Sequence, residues 1–145
     1  MKSETKRVSL IAAEKGGYWA PWVERFRADT PDVVVVLQQV GEKLGEFSLR
    51  IRARLAELER NAISMEQAVL VGGGRTDADA LSARSVAIRS MAAAMARHGG
   101  GDVTLDDAGD DRHAMAALAV TVSPLVSGTG VRVVHQSAPP LRRVA

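Results

Sequence analysis

The sequence predicts an α/β protein, a three-layer sandwich in which a five-stranded, mostly parallel sheet carries helices on both faces in a Rossmann-like arrangement. Short runs rich in β-branched residues alternate along the chain with longer segments whose apolar residues recur every three or four positions. The second and third of these runs are almost continuously apolar at their centres, which is typical of strands covered on both faces. Strands that alternate with helices favour a parallel sheet with right-handed crossovers.

The five predicted strands share a high content of Val, Leu, Ile and Thr, and they are placed at residues 7–13, 32–40, 67–71, 102–105 and 131–136. A first, short helix is predicted between the first two strands, over residues 20–28. Pro21 falls in its first turn, where the missing N–H of proline costs nothing.

Three longer helices are predicted over residues 42–60, 77–97 and 111–126. The first shows one apolar stripe, and the second places Leu81, Ile88, Met91 and Met95 on an alanine-rich background. Asp110 or Asp111 is expected to be the N-cap of the third. Pro124 is expected to bend or stop that helix near its end.

The composition indicates one ordinary domain with a core that is poor in aromatic residues. The chain has 145 residues, 46% apolar and 25% charged, with 3% aromatic and no cysteine. A formal net charge of +2 is too small to indicate binding to nucleic acid or to an anionic membrane. The lack of cysteine excludes disulfides, thiolate nucleophiles and cysteine-ligated metals.

We expect residues 1–136 to form a single domain and residues 137–145 to form a C-terminal tail. The apolar run near the N-terminus is too short for the core of a signal peptide. No stretch approaches the ~20 apolar residues of a membrane span. The protein is therefore expected to be cytoplasmic.

The element order resembles that of the universal stress protein family, with five strands and GVRVVHQ as the last strand near the C-terminus. The resemblance implies a small cytoplasmic α/β protein that forms a homodimer, often through the last strand, and that binds ATP in some members. ATP-binding members carry a three-glycine signature after the fourth strand. Here Gly109 stands alone, Gly128 and Thr129 follow at another spacing, and Glu14 is the acid nearest the end of the first strand. The resemblance therefore implies a member without the usual ATP site.

The stretch VLVGGGRTDAD, residues 69–79, has two interpretations. The backbone N–H groups of Gly72, Gly73 and Gly74, the guanidinium of Arg75 and the helix start at Thr76 together suit an anion. Alternatively, Thr76 is an N-cap with Asp79 in the capping-box position, and the glycines only turn a strand into a helix. The spacing matches neither a P-loop nor a dinucleotide fingerprint.

Three of the five aromatic residues, Tyr18, Trp19 and Trp22, lie together just after the first strand. They could stack on a ligand or anchor a partner. The alternative is that they close one end of a core that has few other aromatic residues. In an open α/β sheet, ligands bind beyond the carboxyl ends of the strands, where this cluster is expected.

Carboxylates after the fourth strand, at Asp106, Asp107 and Asp110, could bind Mg²⁺ or Mn²⁺ together with Glu14. This arrangement resembles the Toprim nucleotidyl-transfer and hydrolysis module, in which a strand-end Glu works with an Asp-x-Asp motif. Asp106 and Asp107 are adjacent, so the alternation of that motif is missing. The alternative is a solvated acidic loop.

The leading hypothesis is a non-catalytic binding or regulatory protein that resembles universal stress proteins. Its expected partners are a second copy of itself and a small anionic or nucleotide ligand, and no cofactor is indicated. Two alternatives remain open, a divalent-metal-dependent phosphoryl-transfer or hydrolytic enzyme and a pure protein-interaction module.

Overall fold

The computed structural model describes residues 6–138 and confirms the α/β fold class. Its strands are β1 (Lys6–Ala13), β2 (Val33–Leu37), β3 (Ile63–Val71), β4 (Gly101–Asp106) and β5 (Val131–Gln136). Its helices are α1 (Ala20–Arg27), α2 (Leu44–Arg60), α3 (Ala78–Ala96) and α4 (Arg112–Val122). Of the predicted tail, residues 139–145 lie outside the described residues.

The five strands form one sheet in the order β2-β1-β3-β4-β5, and every neighbouring pair is parallel. The chain moves from β1 to one side to make β2 and then crosses to the other side to make β3. The direction of winding therefore changes between β1 and β3, as in doubly wound folds of the flavodoxin-like order.

The helices cover the two faces of the sheet unequally. A large core contains the inward side chains of α2, α3 and α4, including Phe47, Ile51 and Met91. A smaller core on the opposite face contains Trp22 and Phe26 of α1, which pack on β1 and β3. Right-handed crossovers explain this division, because only the β1–β2 connection runs in the opposite direction across the sheet.

Two predicted strands differ most from the strands in the structure. β2 ends at Leu37 rather than at residue 40, because Leu37 pairs with Ala13, the last residue of β1, and the N–H of Gln38 donates to the carbonyl oxygen of Ala13 where the pairing ends. β3 begins at Ile63 rather than at Gln67, because its first residues pair with the start of β1. Backbone pairing with β1, rather than hydrophobicity, determines where β2 ends and where β3 begins.

Helix ends also differ from the predictions. The N-cap of α3 is Asp77 rather than Thr76, and no side chain caps the helix, so the predicted capping box is wrong. α4 ends at Val122 and continues as one 3₁₀ turn over Ser123–Val126, which contains Pro124, as expected for a proline at a helix end. Within residues 6–138, no helix combines the length and apolar character needed to cross a bilayer.

Candidate functional site

A cleft of about 620 Å³ opens at the carboxyl edge of the sheet, at the point where the winding direction changes. Its walls come from the segments that follow β1, β3 and β4. The lining residues share this location and are Gly16, Gly17, Tyr18, Pro21, Val71, Gly72, Gly73, Gly74, Asp106, Ala108, Gly109, Asp110 and Ala138. This edge is where ligands bind in open α/β sheets.

Glycine is required where the wall after β3 meets the rest of the protein. A Cβ atom at Gly73 would lie 2.2 Å from the carbonyl oxygen of Lys15, and a Cβ atom at Gly72 would lie 2.2 Å from Oδ2 of Asp111. Neither separation is compatible with a side chain. The run of glycines therefore lets the segment after β3 approach the segment after β1 and the start of α4.

A buried charge cluster, formed by Glu14, Arg84 and Asp111, lies directly behind this wall. Arg84 Nε is 2.7 Å from Glu14 Oε2, and Arg84 Nη2 is 2.8 Å from both Glu14 Oε1 and Asp111 Oδ2. The side chains are 1%, 4% and 1% exposed for Arg84, Glu14 and Asp111 respectively. The cluster joins the end of β1, the middle of α3 and the N-cap of α4.

The cluster also occupies the backbone donors of the glycine segment. The N–H of Gly73 donates to Glu14 Oε1 at 3.0 Å, and the N–H of Gly74 donates to Asp111 Oδ2 at 3.2 Å. Two of the donors assigned to an anion in the sequence analysis therefore already bind carboxylates of the protein itself. An incoming phosphate would have to displace them.

The electrostatics of the cluster favour positive charge nearby. Burial acts to lower the pKa of Arg84, but the hydrogen bond and the charge of Glu14 outweigh it, so the pKa is raised. Two carboxylates and one guanidinium leave one net negative formal charge. Arg84 Nη1 and Asp111 Oδ1 are buried without a hydrogen-bond partner in the described residues.

The other two residues of the predicted anion site, Arg75 and Thr76, do not line the cleft. The guanidinium of Arg75 donates to both carboxylate oxygens of Asp77, at 2.9 and 2.6 Å, and both side chains are about half exposed. Thr76 is exposed and is not among the residues that line the cleft. The structure thus places Gly72, Gly73 and Gly74 at the cleft and turns Arg75 toward its own neighbour.

The three aromatic residues separate into two roles. Tyr18 is 66% exposed and lines the cleft. Trp22 is fully buried, packs at an angle on Phe26 and donates its indole N–H to Asp106 Oδ2. Trp19 is half-buried against the same core. The two tryptophans therefore belong to the smaller core, and Tyr18 stays a candidate contact for a ligand.

The predicted metal ligands have separate surroundings. Glu14 binds Arg84, Asp106 accepts hydrogen bonds from Trp22 and from the N–H of Ala108, and Asp110 is exposed at the cleft. In the part of the chain that the structure describes, no group of three or more Asp, Glu or His side chains is arranged to hold a metal ion. The four carboxylates of the Toprim-like hypothesis are not brought together as one centre.

Asp107 faces away from the cleft and holds the chain after β5. It accepts hydrogen bonds from the hydroxyl of Ser137 and, at 3.3 Å, from His135 Nδ1. The Ser137 hydrogen bond is the main reason that the pKa of Asp107 is lowered, burial opposes this shift, and His135 adds to it. Ser137 and Ala138, predicted as part of the tail, are therefore in contact with the domain.

This lowered pKa predicts a small acid-dependent contribution to stability. A carboxyl whose pKa is depressed on folding stabilises the fold above its unfolded pKa of about 3.9, and the contribution is lost as the pH falls through the lower folded pKa. Asp107→Asn is expected to cost less than about 1 kcal/mol at pH 7, and its difference in stability from wild type is expected to shrink as the pH falls below about 4. Urea unfolding between about pH 7 and pH 3, with Asp79→Asn as control, measures this. An identical acid dependence in wild type and Asp107→Asn would contradict it.

The sequence analysis missed Arg84 and did not assign the side chain of Asp111. A signal for Arg84 was present, because it lies three residues after Leu81 and four before Ile88 and thus on the apolar stripe of its helix. A charge on a buried stripe needs a buried partner. Asp111 was considered as a cap and as one of the acidic residues after the fourth strand, whereas its carboxylate accepts a hydrogen bond from Arg84.

The fold and the cleft together define a doubly wound α/β protein with a glycine-walled cleft at its switch point. Searches against family models, curated proteins and solved structures found no match to this chain.

Proposed function

We propose that this protein binds a small organic cation in the cleft and acts through that binding rather than through catalysis. The observation that carries the proposal is the charge of the lining, since within residues 6–138 the only charged residues that line the cleft are Asp106 and Asp110. Both are carboxylates. They favour a ligand with positive charge and hydrogen-bond donors.

The shape of the cleft supports a ligand of this size. Its volume of about 620 Å³ lies within the range of small-molecule sites. The glycines on two of its walls leave room that side chains would fill. Tyr18 offers an exposed ring on which a cation or a flat group can stack.

The buried charge cluster also favours a positively charged ligand in the cleft. It has one net negative formal charge and lies behind the wall at Gly72 and Gly73. Its carboxylates already accept the N–H groups of Gly73 and Gly74. A phosphate in the cleft would meet negative charge and few free donors. The anionic or nucleotide ligand expected from the sequence is therefore the less favoured occupant.

A non-catalytic binding role is also what the resemblance to universal stress proteins implies, and we retain that resemblance as a hypothesis. The homodimer stays a prediction. A charged substitution at Val133 in the last strand would not test this prediction, because the side chain of Val133 is 8% exposed and belongs to the core, so the charge would disturb folding first.

Thermal unfolding with four probes tests the proposal: tyramine and agmatine as organic cations, ATP and inorganic phosphate as anions. At 100 times its dissociation constant a ligand adds about 2.7 kcal/mol, which corresponds to an increase in Tm of about 5–10 °C. We expect an increase with the cations and none with inorganic phosphate, and we expect the response to ATP to be the same in wild type and in Asp110→Asn. Asp110→Asn is expected to weaken the binding of both cations, and Tyr18→Ala that of tyramine most.

Glu24→Gln is the matched control, because Glu24 is an exposed carboxylate on α1 that does not line the cleft. An increase in Tm with ATP that Asp110→Asn strengthens would overturn the cationic assignment in favour of an anionic ligand. Equal cation binding by Asp110→Asn and wild type would place the cations elsewhere on the protein.

A further inference from the structure

We infer that the seam between α2 and α3 is a second binding site, one that takes a polyphosphate group. A groove of about 520 Å³ runs along this seam on the outer side of the helices. Arg52, Arg89 and Arg97 lie along it with a single carboxylate, Glu59. We call this feature the α2–α3 groove.

The two helices bring these side chains together by their periodicity. On α2 the groove residues are Arg52, Leu55, Ala56 and Glu59, and on α3 they are Val86, Arg89, Ser90, Ala93 and Arg97. Within each helix the set recurs at the spacing of three and four residues that defines one face. The arginines therefore border one continuous groove rather than scattered parts of the surface.

The charge of the groove is strongly positive for its size. Arg97 is paired with Glu59 through two hydrogen bonds of 2.8 Å. Arg52 and Arg89 form no ion pair within residues 6–138. Three guanidinium groups and one carboxylate give a formal charge of +2 (3 − 1). Two other arginines on α2 are paired, Arg50 with Glu42 and Arg54 with Glu57.

The chemistry of guanidinium selects the ligand. A guanidinium presents a rigid fork of N–H donors that matches the oxygen atoms of a phosphate. Ala56, Ser90 and Ala93 have small side chains, which lets a bulky tetrahedral group approach the helices between the arginines. One phosphate group can accept both hydrogen bonds from one guanidinium. Arg52 and Arg89, which have no ion pair within residues 6–138, therefore favour a chain of phosphates over a single phosphate.

The lining of the groove offers little that could recognise the nucleoside part of a nucleotide. Among the described residues, no aromatic side chain borders the groove, so they offer no ring for a base to stack on. The apolar contribution comes from Leu55 and Val86. Inorganic polyphosphate and the phosphate chain of a nucleoside triphosphate therefore share the recognised chemistry.

The α2–α3 groove and the cleft are separate in place and in charge. The cleft lies at the carboxyl edge of the sheet and is bordered by carboxylates, whereas the groove lies between two helices and is bordered by arginines. No residue lines both. The inference about the groove therefore does not depend on which ligand binds in the cleft.

Isothermal titration of the full chain with tripolyphosphate and, separately, with ATP tests the inference. The test variant is Arg52→Gln with Arg89→Gln, and the control is Arg27→Gln with Arg112→Gln, which removes the same charge from exposed positions outside the groove. Loss of a charge-assisted hydrogen bond costs tenfold or more in affinity. We expect the test variant to bind tripolyphosphate at least about tenfold more weakly and the control to lose less than about threefold. Binding should weaken strongly at about 0.5 M NaCl, because the groove is open to solvent.

Equal affinities of wild type for tripolyphosphate and ATP would indicate that the groove reads phosphate alone. Tighter binding of ATP, still lost in the test variant, would indicate that the nucleoside contributes as well. Asp110→Asn should leave both affinities unchanged, which separates this result from any event in the cleft. Absence of binding by wild type at low salt, or equal losses in test and control variants, would overturn the inference.

Discussion

Arg84→Met is expected to lower the free energy of unfolding by about 3–5 kcal/mol, because it leaves two carboxylates buried without their cation. Glu14 and Asp111 are at most 4% exposed and share the guanidinium of Arg84. For a domain of this size the loss corresponds to about 10–15 °C in Tm. Urea unfolding followed by circular dichroism measures it.

Two further variants separate the buried charge from the volume of the side chain. Arg132→Met removes the cation of an exposed pair with Asp102 and should cost at most about 1 kcal/mol. Adding Glu14→Gln and Asp111→Asn to Arg84→Met keeps oxygen acceptors for the N–H groups of Gly73 and Gly74 while removing both charges. That triple variant should be more stable than Arg84→Met alone. A cost for Arg84→Met no larger than for Arg132→Met would refute the assigned role.

Trp22→Ala is expected to cost about 3–5 kcal/mol, the usual range for truncation of a buried aromatic residue. Trp22 is 0% exposed and is the largest fully buried side chain in the smaller core, over which α1 is the one helix within residues 6–138. Few other atoms on that face can move to fill the space left behind. Loss of Trp22 should also disturb the cleft, because Trp22 binds Asp106 at its wall.

Trp22→Phe removes the indole hydrogen bond together with part of the buried ring. Asp106 Oδ2 loses its donor, so a cost of about 1–3 kcal/mol is expected from that loss in addition to the cost of the smaller ring. Asp106→Asn in the same chain should recover part of that loss, since a neutral amide costs less to bury than a carboxylate. Trp19→Phe, at a half-buried position without a hydrogen bond to Asp106, is the control. Equal costs for the two Phe variants would argue against a role for the hydrogen bond.

The two ligand proposals depend on how charge is distributed over a protein whose formal net charge is only +2. Carboxylates collect at the carboxyl edge of the sheet, and unpaired arginines collect along α2 and α3. Such a separation is invisible in the composition, because the two regions nearly cancel. Under the two proposals, the cleft prefers cations and the α2–α3 groove prefers anions. Each preference can be tested separately with a test variant and a control variant that remove the same charge.

The alternation of strands and helices could be predicted from the amino-acid sequence, because the pattern that reveals each element is local. The stripe through Phe47 and Ile51 and the β-branched run of β2 each report the period of one element. From this alternation the parallel sheet and its helices follow through the handedness of crossovers. The position of the cleft follows as well, since ligand sites in such sheets lie at the carboxyl edge.

The roles of Gly72, Gly73 and Gly74 and of the charged residues near them depend on contacts between distant parts of the chain. Glu14, Arg84 and Asp111 are far apart along the chain, and no local pattern reveals that one guanidinium binds both carboxylates. That contact turns the donors of Gly73 and Gly74 inward and changes the sign of the charge expected in the cleft. Hydrophobic periodicity specifies which face of an element is buried, whereas the pairing of buried charges depends on distances that exist only after the chain has folded.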